Sequence, residues 1–204
     1  MKYTEYRGVK SLVAAEVIKD EAGELTFGTP FQVAGVAELS KDTETGSDTH
    51  YYDNIPAIVI DSTGADTVKI NASALDLDVL AKLTGQYYDE TTGMLVEGER
   101  ESKYYAIGYV TEKTDDSVIF VWRLKGKFAV PSSTHKTKDS GTDASGQELT
   151  YTGINTTHVF EKTGKTAKAV VVKAETVKQT EAKFFETVQT PDSVTVAEIG
   201  RAHV

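Results

Sequence analysis

The chain has 204 residues, 31 acidic against 22 basic for a net charge of -9, and no cysteine. That length suits one domain able to bury its own core. The missing cysteines exclude disulfides and thiolate metal sites, and the acidic balance repels phosphate and argues against a DNA-gripping role. No apolar run reaches the length of a membrane span, and the N-terminal segment lacks the apolar core of a Sec signal.

Residues 9–19, rich in Val, Leu and Ala, predict a first strand, closed by a turn at Asp20-Glu-Ala-Gly-Glu24. Residues 33–40 predict a second. It runs into residues 41–54, where Asp42, Glu44, Asp48 and Asp53 face only Lys41. No buried element carries that charge density, so the segment reads as a solvated loop, or one reserved for a partner, ending in a Tyr51-Tyr52-Asp53-Asn54 clasp. Residues 55–60 read as an apolar strand ended by a turn at Asp61-Ser-Thr-Gly64. Residues 67–72 alternate, with Val68 and Ile70 on one face and Lys69 and Asn71 on the other.

Leu75, Val79, Leu80 and Leu83 fall on one face of a helix spanning about 74–84. Ser73 is the expected N-cap, Asp76 and Asp78 favour the helix start, and Gly85 lies just beyond the end. Residues 86–102 are polar, with Gly93 and Gly98, and read as a protruding hairpin or loop. Residues 104–111 and 118–128 predict a hairpin turning at Asp115-Asp116, with Trp122 in the core. Residues 131–146 read as a long mobile loop. Strands are expected at 149–160 and 167–172, joined by a turn at Thr163-Gly164, and Val177, Thr180, Glu181 and Phe184 give a weaker helical spacing.

Lys162, Lys165, Lys168, Lys173, Lys178 and Lys183 outnumber the glutamates around them, so the N-terminal two-thirds is the more acidic part. That asymmetry suits head-to-tail self-association. No internal repeat or domain linker breaks the chain. Residues 198–204 show neither periodicity nor capping logic, and Ile199-Gly-Arg-Ala-His-Val204 matches the translation of a common short-read sequencing adapter. The expectation is a single domain over 1–197, with 162–197 as a variable C-terminal arm and 198–204 as an artefact that either follows a native end near Val196 or replaces missing residues.

Catalytic patterns are weak. Thr163-Gly-Lys-Thr166 resembles the end of a phosphate-binding loop, but Val159 stands where the motif needs glycine, so a tight turn is the better reading. His50, His135, His158 and His203 lack metal-ligand spacing and read as surface residues. Asp115-Asp116 reads as a turn rather than an acid pair, and there is no Gly-x-Ser-x-Gly elbow. Asn71 and Asn155 begin glycosylation sequons of a kind common by chance. The tyrosine pairs at 51–52, 87–88 and 104–105 have mostly acidic neighbours, which favours interface anchors or sheet packing over base stacking.

Several patterns in order carry a resemblance. They are Gly8-Val9, Gly35-Val-Ala-Glu38, Tyr52-Asp-Asn54, Asp66-Thr-Val-Lys-Ile70, residues 77–85, Ala106-Ile-Gly-Tyr109, and Trp122-Arg-Leu-Lys-Gly-Lys-Phe128 before Pro131. Over about residues 8–160 the chain resembles the major tail (tail tube) proteins of long-tailed, non-contractile bacteriophages, of the phi13 type. The resemblance implies a mainly β fold, an antiparallel sandwich or small barrel with one flanking helix and long polar loops. It implies a structural virion protein, without enzymatic activity or cofactor, assembled in the host cytoplasm into hexameric rings that stack as a tube. Tape measure, distal tail and tail terminator proteins are its implied partners, and DNA passes through the lumen without specific binding. Asp42, Glu44, Asp48, Tyr51, Tyr52, Asp53 and Asn54 are the expected contacts between subunits or rings. A tail terminator or tube initiator of the same fold, a surface carbohydrate-binding sandwich and, last, a carboxylate-based hydrolase are the alternatives.

Overall fold

A computed structural model describes residues 3–135, 137, 146–177 and 179–196. The first strand, β1 (Tyr6–Glu21), extends beyond the apolar run at both ends. A turn at Ala22-Gly23 returns the chain into β2 (Glu24–Phe27), a short strand with no clear sequence signal, paired to residues 17–21. After β3 (Phe31–Ala34), which pairs with β1 at Leu12–Ala14, the chain bends at Gly35.

The next two strands correct the sequence expectation. β4 (Val36–Tyr52) and β5 (Ile55–Ala72) form one long antiparallel pair. The polar segment 41–54 is therefore mostly strand, not loop, and Asp61-Ser-Thr-Gly64 lies inside β5, not in a turn. Charge density excludes burial, but it does not exclude strand pairing when both faces of a ribbon are solvated. Thr43, Thr45 and Thr49 supply the β-branched side chains that favour extended backbone.

The helix α1 (Leu77–Thr84) starts later than expected, with Asp76 rather than Ser73 at its N-cap and no side-chain capping bond. Ser73 is engaged elsewhere: its Oγ accepts from the Gly35 amide at 3.1 Å, and its own amide donates to the Gly35 carbonyl at 2.8 Å. Gly85 closes the helix at φ 71° and donates to Ala81 O, a left-handed cap that glycine adopts without strain. The expected hairpin in 86–102 is present as β6 (Tyr87–Asp89) and β7 (Met94–Val96).

β8 (Tyr105–Lys113) and β9 (Val118–Phe128) form the expected hairpin, with Asp116 in the turn at φ 61°. β10 (Gln147–Gly153) ends earlier than the sequence pattern suggests. The Asp20 carboxylate accepts from the amides of Thr157 and His158, which removes those groups from any ladder and curls the chain off the sheet. β11 (Ala169–Lys173) follows, then two single-turn helices, α2 (Ala174–Val177) and α3 (Glu181–Phe184), the second capped by Thr180. The expected loop at 131–146 lies partly outside the described residues, as do Lys178 and residues 197–204, His203 and the adapter-like peptide among them.

The main sheet runs β2-β1-β8-β9-β10-β5-β4, with β3 added on β1 and β11 on β9, every pair antiparallel. It folds over as a sandwich without closing into a barrel. One core fills the inside, where Val68, Ile70, Ile107, Leu149 and Tyr151 meet beneath α1. Alternate residues of β8 and β9 face the other way. There Phe120, Trp122 and Leu124 pack under Phe160, Phe184 and Phe185, with the rings of Phe120 and Phe184 4.8 Å apart. Trp122 is fully buried, as expected. No helix among the described residues is long and apolar enough to cross a membrane.

Candidate functional site: a projecting ribbon and its root

β10 accompanies β5 only from Asp66 to Ala72. Beyond Asp66, β4 and β5 pair with each other alone, from Thr45 opposite Thr63 to Tyr52 opposite Ile55. At about 3.3 Å per residue this ribbon projects roughly 30 Å from the sandwich. Asp53 and Asn54 connect its strands at φ 53° and 64°. Two left-handed residues make the hairpin turn whose twist matches the flanking strands, and Asp and Asn tolerate that region best after glycine. The expected clasp is thus the ribbon's turn.

The ribbon's tip and its β5 half expose apolar groups where water should favour polar ones. Tyr51 and Tyr52 are 63% and 61% exposed, and Ile55, Ile58, Val59 and Ile60 are between 47% and 64% exposed. Directly opposed residues share a face, so His50 with Ile58 and Asp48 with Ile60 line one side, and Thr49 with Val59 the other. His50 Nε2 lies 3.5 Å from Asp48 Oδ2 on that first face. An isolated two-stranded hairpin is marginal in water, and a contiguous exposed apolar patch marks an interaction surface.

A polar cluster fixes the ribbon's root. The buried Asp66 carboxylate accepts from Arg123 Nη1 at 2.7 Å and Lys168 Nζ at 3.1 Å. Lys168 also donates to the Gly64 carbonyl, so β5 is tied to β9 and to the segment entering β11. Burial pushes the Asp66 carboxyl up, but hydrogen bonds from Lys168, Thr43 and Arg123 outweigh it and hold the group below its ordinary value.

Of the seven sequence candidates, Asp48, Tyr51, Tyr52, Asp53 and Asn54 gather in the outer half of the ribbon. Asp42, opposite Thr67, and Glu44, at a register shift beside Gly64, lie near its root. Sequence reasoning missed the other half of the tip, Ile55 to Ile60, whose exposure follows only once its partner strand is known to be polar. It also missed Asp66, Arg123 and Lys168, which are 57 and 102 residues apart and share no spacing signal.

The remaining chemical candidates resolve into structure. Asp116 accepts from Arg7 Nη2 at 2.6 Å in the β8–β9 turn, and Gly164 adopts φ 64° in the turn beside the Phe160–Lys165 bridge. His158 departs from the surface reading: its Nδ1 is buried without a hydrogen-bond partner among the described residues, and its ring lies 5.0 Å from Phe160. Tyr105 is core, donating to Lys82 O, with its hydroxyl pushed up to about 12 by burial and by Glu16 and Glu101. Tyr104 lies under Lys125 and Lys127, at 4.9 and 4.3 Å. No group of carboxylates and histidines among the described residues is arranged to hold a metal ion.

An antiparallel sandwich whose projecting strand pair has no further ladder partner among the described residues leaves an open surface for another molecule. The family model for phage tail tube protein matches residues 43–188, well over half of the chain, and the chain belongs to that family. It is therefore a structural component of a bacteriophage tail. The match takes in the ribbon, the central hairpin and the lysine-rich segment through α3, beyond the span of the sequence resemblance, and leaves out β1 to β3. No curated protein matches the chain.

Proposed function

We propose that this chain is the major tail protein that polymerises, as stacked hexameric rings, into the tube through which phage DNA is delivered. The observation that carries the proposal is the ribbon: an element projecting roughly 30 Å, exposing Tyr51, Tyr52, Ile55, Ile58, Val59 and Ile60, has a use only when another subunit covers it. The ribbon bridges consecutive rings, and the seven tip and root residues Asp42 to Asn54 belong to that contact. Its exposed apolar side chains are covered only by a neighbouring ring, so growth waits until a distal tail complex offers a first ring.

Lateral closure has its own support. Among the described residues β2, β4 and β11 each have a ladder partner on one edge only. Open edges invite uncontrolled pairing, and a closed ring joins them in one geometry. The net charge of -9 suits a lumen that DNA crosses without adhering. On this reading the chain has no enzymatic activity. Its partners are copies of itself with the tape measure, distal tail and terminator proteins, in a virion assembled in the bacterial cytoplasm.

The test is sedimentation of the purified chain beside a variant in which residues 44–65 are replaced by Asn-Gly, directly joining the paired Thr43 and Asp66. The parent pellets as polymer above a critical concentration, and the shortened chain remains a folded monomer. Equal polymerisation by both would remove the ribbon from the assembly contact.

A further inference from the structure

Between residues 6–9 of β1 and residues 37–41 of β4 lies an open groove of about 570 Å³. Its floor is the inner face of the sandwich, formed by Tyr109 and Thr111 of β8 with Ile119 and Val121 of β9. Tyr109, Ile119 and Val121 of that floor are packed into the sandwich core, and the apolar surface that the groove presents comes from its sides, Tyr6 and Val9, Ala37 and Leu39, and Val171 of β11. Both walls are unpaired strand edges. β3 reaches β1 only at Leu12–Ala14, and β4 has β5 on one side and no ladder partner on the other among the described residues. An apolar trough between two free edges is a receptor for an incoming strand.

The groove and the ribbon differ in charge. Arg7, Lys41 and Arg123 line the groove with the acid Glu38. Arg7 is paired with Asp116 and Arg123 with the buried Asp66, so Lys41 is the cation that an incoming acid meets. Residues 44–61 of the ribbon carry Glu44, Asp48, Asp53 and Asp61 and no lysine or arginine. The molecule's own ribbon leaves the groove empty, because its apolar side chains stand exposed.

We infer that this groove receives the apolar outer half of the ribbon from a second copy of the chain. The inference rests on the tail tube reading and adds to it the surface that takes the ribbon. Ile58 and Ile60, which share one face of the ribbon, pack against the groove's apolar sides, and the ribbon's acids face Lys41 at the rim. The contact is heterologous: each copy that inserts a ribbon still offers an empty groove, so addition propagates in one direction as a tube requires. The charge pairs set register and encounter rate more than affinity, so high salt slows growth before it dissolves finished tubes.

The absence of native cysteine makes the test clean. Chains carrying Ile58→Cys are mixed under polymerising conditions with chains carrying Ala37→Cys, on the β4 wall, and treated with a short bis-maleimide. Because each chain holds one thiol, a heterodimer reports contact between copies. A second mixture uses Val171→Cys, another exposed groove position, and a control uses Glu99→Cys, an exposed position away from the groove. The expected result is a cross-linked heterodimer with both groove variants and none with the control. Tubes that give no groove heterodimer, or as much with Glu99→Cys, overturn the groove assignment and leave the tail tube reading intact. A parent chain that never polymerises, even when seeded with a distal tail complex, overturns both.

Discussion

Replacing Ile58 and Ile60 together with threonine separates assembly from folding. Both residues lie on one face of the ribbon and are 47% and 55% exposed in the single chain. Burying an isoleucine fully contributes about 1.5–3 kcal/mol, and roughly half of that remains to be gained on docking, about 1 kcal/mol for each. Losing both weakens each subunit addition by about 2 kcal/mol, which raises the critical concentration about 30-fold. Threonine keeps the β-branching that the strand favours, so the monomer changes by no more than about 0.5 kcal/mol and its melting temperature by about 2 °C. The assay is the soluble fraction after sedimentation across a concentration series, with calorimetry on the same samples. An unchanged critical concentration would refute the reasoning. So would a fall in melting temperature much beyond that limit, because the side chains would then be stabilising the fold itself.

At the tip, Asp53→Ala with Asn54→Ala places two alanines in left-handed backbone at about 1 kcal/mol each, whereas glycine at both positions is tolerated. Amide exchange across β4 and β5 quickens and assembly falls in the alanine variant only. Unchanged polymerisation there would count against the tip as a contact. At the root, Arg123→Leu leaves the buried Asp66 carboxylate to Lys168 and costs about 3 kcal/mol by urea denaturation, part of which Asp66→Asn restores in the double variant. Acid tests the same cluster. For Asp66 and for Asp20, burial raises the carboxyl, but hydrogen bonds from Lys168, Thr43 and Arg123, and from Lys125, Thr157 and His158, more than reverse it. Both groups therefore bind protons less readily folded than unfolded. Their stabilisation is complete above the ordinary value of about 3.9 and is lost as pH falls through the lower folded values. Urea midpoints that stay constant through that acid range would contradict the assignment.

The central hairpin was legible because β8 and β9 combine apolar runs with a turn at Asp115-Asp116, and because Trp122 has no stable place but the core. Gly85 announced the end of α1 for a similar local reason. The ribbon was not legible as strand. Periodicity reports a buried face, and residues 45–52 have none in the single chain, so their Thr, Ser and Asp pattern looks like loop. Asp53 and Asn54 read as the clasp that ends a loop, because seeing them as a turn depends on recognising strands on both sides. The root network lay beyond any local signal, since Asp66, Arg123 and Lys168 meet only when β5, β9 and the entry to β11 are side by side. The path of the chain beyond β10 is likewise held by Asp20, more than a hundred residues away in sequence.

Negative-stain electron microscopy of the purified chain at high concentration, with and without a distal tail complex as seed, tests the central claim most directly. Hollow tubes with a regular ring repeat are the expected result, absent when the ribbon is shortened. Single particles the size of one chain under every condition, seed included, would contradict it.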